Sequence, residues 1–275
     1  MENRSPTGAD RARQWLNLIV VPLAIGFVMG ERPSENQVST VARENEPLLA
    51  AAGFTFAVWG LIFALWLAYA TYQFFPSQAA RPLHRRIGFW VAANAVGAAF
   101  WVQCFTNRYL GLAWLTMLGL VAVLAMIDRG LGDDARRGRD YLFARLPFAI
   151  NFGWVCVAAI LSTTHYLSSS LDYAPSSRTE LIGSHLVVAA VTGAAAFLVV
   201  ARQNHPFAIT VAWGLLGIAA HRHTTSATLS AVAAGSAALL CTLSLSVVLT
   251  MRRRRVRRGL SGPPLGWLDG RITHS

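Results

Sequence analysis

Eight apolar runs, each bounded by polar residues, dominate this sequence. A helix needs about 20 apolar residues to cross the hydrocarbon core of a bilayer. The sixth to eighth runs have the same character as the first five, although the seventh is the weakest at 14 residues. The sequence therefore predicts an all-α integral membrane protein with eight spans: Trp15–Gly30, Phe54–Phe75, Ile87–Phe105, Tyr109–Ile127, Tyr141–Thr164, Leu181–Val200, Phe207–Ala220 and Thr225–Met251.

The composition excludes several other classes of protein. Hydrophobic residues make up 54% of the chain and charged residues only 13%, whereas a soluble domain carries about 25% charged residues. This excludes a soluble globular enzyme and a disordered protein. The formal net charge is +11, but the basic residues lie between the apolar runs, so we expect the lipid bilayer and not nucleic acid as the partner.

The arginines also predict the orientation of the spans. All 24 basic residues are arginine. With eight spans and a cytoplasmic N-terminus, 19 of the 24 fall in segments on the cytoplasmic side. The excess of positive charge on that side is the pattern of inner-membrane proteins. We therefore expect a multi-pass protein of a bacterial-type cell membrane, with both termini cytoplasmic.

Signatures of catalysis are missing from the sequence. No acid and no arginine falls in the middle of a predicted span, which disfavours a carboxylate-driven pump. The chain has no HExxH zinc motif, no serine nucleophile elbow and no phosphate-binding glycine loop. We predict neither catalytic residues nor a metal site, and the sequence leans away from an enzyme.

Aromatic and amide side chains recur at helical spacing in three spans, and they give the candidate site. Tryptophans deep in membrane helices either pack or line apolar pockets. A buried amide must bond another helix or a ligand, because an unsatisfied amide in lipid costs a few kcal/mol. Both alternatives stay open for the six candidate ligand-binding residues: Trp59, Phe63, Asn94, Trp101, Asn151 and Trp154.

Three segments resemble a known family. Gly53-Phe54-Thr55-Phe56-Ala57-Val58-Trp59-Gly60-Leu61-Ile62-Phe63 is similar to the second-helix signature of the TspO/MBR family, the translocator or tryptophan-rich sensory proteins. Ile87 to Trp101 resembles its third helix, and Leu146-Pro147-Phe148 followed by Trp154 resembles the start of its fifth. The resemblance covers residues 15–165, and the three later spans look like those of longer bacterial relatives.

The resemblance implies an organisation and a ligand. It implies a TspO-like five-helix membrane unit over residues 1–165 and three additional transmembrane helices over 166–251. The basic tail over 252–275, which contains Gly262-Pro263-Pro264 and has no periodic pattern, is predicted to be disordered and cytoplasmic. The resemblance also implies a tryptophan-lined pocket for an apolar small molecule, with porphyrin or haem as candidate ligands, no required cofactor, and a sensory or translocator-like role. The acidic loop between Glu31 and Gly53 would cover the mouth of this pocket.

Other functions remain compatible with the sequence. Eight spans could enclose a transport path for a small molecule, and tryptophan redox chemistry could degrade a bound porphyrin. A membrane scaffold without a ligand is a further alternative. Small-residue pairs such as Ala93/Gly97 permit close helix contacts, so a homodimer is also open.

Overall fold

The computed structural model describes residues 5–44, 46–170 and 177–257. These residues form helices and connecting turns, with no strand in the described ranges. The short elements are 3₁₀ turns at Ser34–Asn36, Gly53–Ala57 and Pro76–Gln78, helical turns at Val38–Val41 and Gly138–Asp140, and a π-helical turn at Tyr141–Arg145. The long helices are α1 (Gly8–Met29), α2 (Val58–Phe74), α3 (Pro82–Thr106), α4 (Leu110–Leu131), α5 (Leu146–Ser170), α6 (Ser177–Arg202), α7 (His205–Arg222) and α8 (Ala227–Arg257).

Seven helical segments of the described chain are long and apolar enough to cross a membrane. They contain α1 to α6 and α8, so the predicted all-helical membrane class is confirmed. The predicted seventh span, Phe207–Ala220, corresponds to α7, which is 18 residues long and is not among the seven. Its ends carry His205, His221 and Arg222. α7 packs against α5, α6 and α8.

Two helices extend beyond their predicted limits. α1 begins at Gly8, seven residues before the predicted Trp15, because Thr7 and Asp10 form a capping box. The Asp10 N–H donates to Thr7 Oγ1 (3.3 Å), and the Thr7 N–H donates to Asp10 Oδ2 (2.9 Å), which satisfies two free donors of the first turn. α8 continues to Arg257, so residues 252–257 of the predicted disordered tail are helical, and 258–275 lie outside the described residues.

The first five long helices close into a ring. α1 packs on α2 and α3, α3 on α4, α4 on α5, and α5 on α2. We call the end at which α1 ends and α2 begins the loop end of the ring. The other three helices form a second group, in which α7 packs on α6 and α8 and joins the ring mainly through α5.

Glycines let α7 approach the ring closely. A Cβ atom at Gly153 on α5 would lie 2.5 Å from the carbonyl oxygen of Phe207, and one at Gly214 on α7 would lie 2.7 Å from Cγ1 of Val157. Neither position has room for a side chain without movement of its neighbour. The two backbones therefore meet at a distance that only glycine permits on both sides of the contact.

Charged groups tie the helices together at the end opposite the loop end. Asp10, only 2% exposed, accepts from Arg13 (3.0 Å) and Arg85 (2.6 Å), which joins α1 to α3. Asp128 at the end of α4 accepts from Asn204 (3.0 Å), which precedes α7. The sequence placed these residues in loops or at span ends. Folding buries them because each carboxylate finds cationic or amide donors, which offset the cost of leaving water.

Candidate ligand cavity

A cavity of about 690 Å³ opens at the loop end of the ring. Its walls come from the ends of α1 and α3, the start of α2, residues 154–165 of α5, the loop between α1 and α2, and the last turn of α7. Most of this lining is apolar. We call it the aromatic cavity, after the rings described next.

Trp59 and Phe63 form one wall of the cavity. Their rings stack with centroids 5.3 Å apart, one helical turn from each other on α2. Trp154 on α5 stands edge-on behind them, 6.4 Å from the Trp59 ring and 5.5 Å from Phe56. Trp154 has no exposed surface, so it holds the Trp59 and Phe56 rings in place. Edge-to-face contacts of this kind contribute about 0.5–1.5 kcal/mol each.

Trp101 begins a second aromatic wall on α3. It stacks on Phe105 with centroids 5.1 Å apart, and Phe105 contacts the His165 ring at 5.6 Å. All three residues line the cavity. The structure thus brings four of the six predicted site residues, Trp59, Phe63, Trp101 and Trp154, around one space.

The two predicted asparagines do not reach this space. Asn151 lies one turn before Trp154, and Asn94 lies two turns before Trp101, so both are deeper in the ring than the cavity. Asn94 is 1% exposed and Asn151 has no exposed surface. Asn94 Nδ2 and both polar atoms of Asn151 have no hydrogen-bond partner among the described residues. The aromatic part of the predicted site therefore gathers at the cavity, and the amide part lies below it.

The loop between α1 and α2 borders the cavity. Arg108 holds one side of this loop. This arginine follows α3 and binds Glu44 with two nitrogens, at 2.6 and 3.0 Å. It also donates to Asn36 Oδ1 (3.0 Å) and to the Glu35 carbonyl (2.9 Å). The Arg108 guanidinium thus holds the loop at Glu35, Asn36 and Glu44. Its two bonds to Glu44 have the bidentate geometry of an arginine–carboxylate pair.

The end of α7 fixes the other side of the loop. Glu46 accepts from Arg222 (2.7 Å) and lies 2.5 Å from His221 Nε2, and Arg222 also donates to the Pro47 carbonyl (2.6 Å). Glu46 and His221 line the cavity. From α6, Glu180 accepts the Leu48 N–H at 2.6 Å. The loop is therefore held between the ring and the later helices.

These contacts shift the ionisation of the first clamp. The hydrogen bonds and the positive charge of Arg108 hold the pKa of Glu44 below its usual range, although desolvation opposes the shift. The Glu44 carboxylate in turn raises the pKa of Arg108. Both groups are partly exposed, at 40% and 42% of their side chains, so solvent screens the pair. Both partners of the Arg108–Glu44 pair stay charged at neutral pH.

Sequence reasoning missed His221 and Arg222, because the predicted spans Phe207–Ala220 and Thr225–Met251 leave them in the loop between. Both belong to the last turn of α7 and bind Glu46. A signal for them exists in the sequence: the α1–α2 loop carries four glutamates, and arginines occur in the other segments predicted on the same side. Pairing these opposite charges suggests the two contacts that the structure contains.

Comparison with known proteins gives the family of this fold. The model of a family described as TSPO-like protein matches residues 14–247, which include all of α2 to α7 and most of α1 and α8. The match continues beyond the five-helix ring through the later helices. No curated protein and no solved structure matches the chain. The protein is a multi-pass membrane protein and belongs to the TSPO-like family.

Proposed function

We propose that this protein binds a flat, apolar ligand of the tetrapyrrole class in the aromatic cavity, in a sensory or translocator-like role. The observation that carries the proposal is the cavity itself. Its volume of about 690 Å³ lies within the range of small-molecule sites, roughly 300–1,000 Å³. Two walls of stacked rings, at Trp59/Phe63 and Trp101/Phe105, favour a ligand with a planar π system.

The α1–α2 loop acts as a lid in this proposal. It is attached by ion pairs and hydrogen bonds at its surface, while its buried side borders the cavity. The Arg108–Glu44 contact can open without disturbing the helices, because its side chains are 42% and 40% exposed and such a pair contributes at most about 1 kcal/mol. Ligand entry would then require release of Glu44 or Glu46 from its partners.

The proposal includes an arrangement in the membrane. We infer eight spans, which are the seven apolar helical segments and, in addition, α7, which its neighbours enclose. Both termini lie on the cytoplasmic side of a bacterial-type membrane. The arginine distribution supports this, since 19 of 24 fall on one side in an eight-span topology. The proposal also divides the chain into a TspO-like ring over residues 1–165 and a three-helix unit over 166–251, which α7 joins to the ring through its contact with α5.

Titration of the purified protein tests ligand binding directly. Protoporphyrin, haem and a sterol would each be added to the protein in detergent while tryptophan fluorescence and, for the first two, Soret absorbance are followed. We expect saturable binding of a tetrapyrrole. Saturation by the sterol alone would replace the tetrapyrrole class, and no saturable binding of any probe would contradict the proposal.

A matched pair of substitutions on α3 locates the site. Ala98 lines the cavity and is 3% exposed, whereas Ala93 faces outward on the same helix. We expect Ala98→Phe to fill the cavity and abolish binding, and Ala93→Phe to bind as the parent does. Equal affinity of the two variants would place the ligand elsewhere on the protein.

A further inference from the structure

Helix α7 holds the segment that leads into the Trp59 wall of the cavity. The Ala52 N–H donates to the Gly217 carbonyl at 3.0 Å, across 165 residues of sequence. The Trp213 indole Nε1–H donates to the Thr55 carbonyl, also at 3.0 Å. These two bonds fix the backbone immediately before and within the 3₁₀ segment Gly53–Ala57.

Side-chain packing makes this attachment tight. Thr55 has no exposed surface, and a Cβ atom added to Gly217 would lie 2.1 Å from its Cγ2 atom. Phe54 contacts the Trp213 ring edge-on, with centroids 5.4 Å apart. Nothing larger than glycine fits at position 217 while Thr55 stays where it is.

Besides α7, the Trp154 ring holds the 3₁₀ segment through its edge-on contact with Phe56. No side chain caps its start, and 3₁₀ hydrogen bonds have poorer geometry than those of an α-helix. Cavity residues follow Thr55: Phe56 is the next residue of the segment, and Trp59 comes four residues after Thr55. A displacement of Thr55 is therefore passed to both aromatic rings.

We propose that α7 is a positioning element of the ligand site: Trp213 and Gly217 fix Thr55, and through Thr55 they set the Phe56 and Trp59 rings against the ligand. Neither Trp213 nor Gly217 lines the cavity. The inference rests on the proposed function and adds that the later helices take part in binding. Ligand affinity then depends on residues that never touch the ligand.

Two glycines of α7 provide a matched test. Gly217→Ala pushes on Thr55, whereas Gly214→Ala pushes on Val157 of α5, where the added Cβ would lie at 2.7 Å from Cγ1. With protoporphyrin as the probe and Soret absorbance as the readout, we expect Gly217→Ala to weaken affinity by about tenfold or more. Gly214→Ala should stay within about twofold of the parent, even if its unfolding temperature falls equally.

Removal of the clash should restore binding. Thr55→Ser deletes Cγ2 but keeps the hydroxyl that donates to the Ala52 carbonyl. The remaining Thr55 atoms would lie 3.0–3.1 Å from a Cβ at 217, which small shifts accommodate. We expect the double variant Gly217→Ala/Thr55→Ser to regain most of the parent affinity. Equal losses in Gly217→Ala and Gly214→Ala, or no recovery in the double variant, would overturn the positioning role.

Amide hydrogen exchange separates this inference from the proposed function, because it needs no ligand. We expect faster exchange of the Ala52 N–H in Gly217→Ala than in the parent and in Gly214→Ala. If Gly217→Ala fails to fold, Trp213→Phe replaces it in the test, because this variant removes the bond to Thr55. It should have the same effect on exchange, and Trp90→Phe is its control. Unchanged exchange in the variants contradicts positioning by α7, whereas changed exchange without protoporphyrin binding by the parent contradicts only the proposed function.

Discussion

Arg108 binds Glu44 through two nitrogens, at 2.6 and 3.0 Å, from a backbone position with φ of 60°. This left-handed conformation suits glycine and costs another residue of the order of 1–3 kcal/mol. The position joins the end of α3 to α4 and directs the guanidinium to the α1–α2 loop, so local strain and attachment of this loop are linked.

Arg108→Gly should separate the strain from the attachment. We expect the free energy of unfolding to stay within about 1 kcal/mol of the parent, because relief of the positive φ offsets the lost contacts. Bound protoporphyrin should dissociate several times faster. Gln203 is the matched control, because it also has a positive φ, 55°, in the turn between α6 and α7 at the other end of the bundle. Gln203→Gly should leave dissociation unchanged, and a similar acceleration in both variants would refute the lid attachment.

The acid dependence of ligand retention should follow Glu44. Its pKa is lowered in the folded protein, so its contact with Arg108 is fully present above the ordinary pKa of about 4.3 and is lost as the pH falls further. We expect the dissociation rate of the parent to rise only below about pH 4. Glu44→Gln should show fast dissociation at neutral pH and a weaker acid response, and a parent-like pH profile of this variant would argue against Glu44.

Trp59→Phe and Trp154→Phe test direct contact against support. Trp59 lines the cavity and stacks on Phe63, whereas Trp154, which also lines the cavity, has no exposed surface and packs edge-on against the Trp59 ring. We expect Trp59→Phe to reduce protoporphyrin affinity by about 1 kcal/mol, on the scale of one aromatic pair, with little change in unfolding temperature. Trp154→Phe should reduce thermal stability more than Trp59→Phe does. Trp90→Phe, outside the cavity, is the control, and parent-like binding by both site variants would favour a packing role alone.

Gly153→Ala should destabilise the contact between α5 and α7. The added Cβ would lie 2.5 Å from the Phe207 carbonyl oxygen, which belongs to backbone and cannot rotate away. We expect a loss of about 1–3 kcal/mol in the free energy of unfolding, typical of overpacking. Gly119→Ala on α4 has no atom within 4 Å of the added Cβ and should be neutral or slightly stabilising. Thermal unfolding in detergent measures both, and equal stability would contradict the close α5–α7 approach.

Reporter fusions test the eight-span arrangement. A reporter that is active only in the periplasm should give no signal after Arg258 and a clear signal when inserted within residues 171–176. The same arginine distribution favours α7 as a span in the proposed topology. Activity of the fusion after Arg258 would place the C-terminus outside the cytoplasm and would contradict the topology.

The apolar runs by themselves determined the class of fold and the approximate course of its helices. The 3.6-residue period also placed Trp59 and Phe63 on one face, and this is a local property of a helix. The capping box at Thr7 and Asp10 shows that the start of α1 is determined by residues next to it in the sequence. Such features need no knowledge of neighbouring helices.

Only the tertiary structure decided how deep each site residue lies in the bundle and which residues far apart in sequence contact each other. Asn94 and Asn151 share stripes with Trp101 and Trp154, yet they lie below the cavity, because the period of a helix fixes direction but not the depth at which a space opens. Glu46 and Arg222 are separated by 176 residues and meet because α7 packs beside the lid. The packing of helices against one another sets these relations, and no local pattern encodes them.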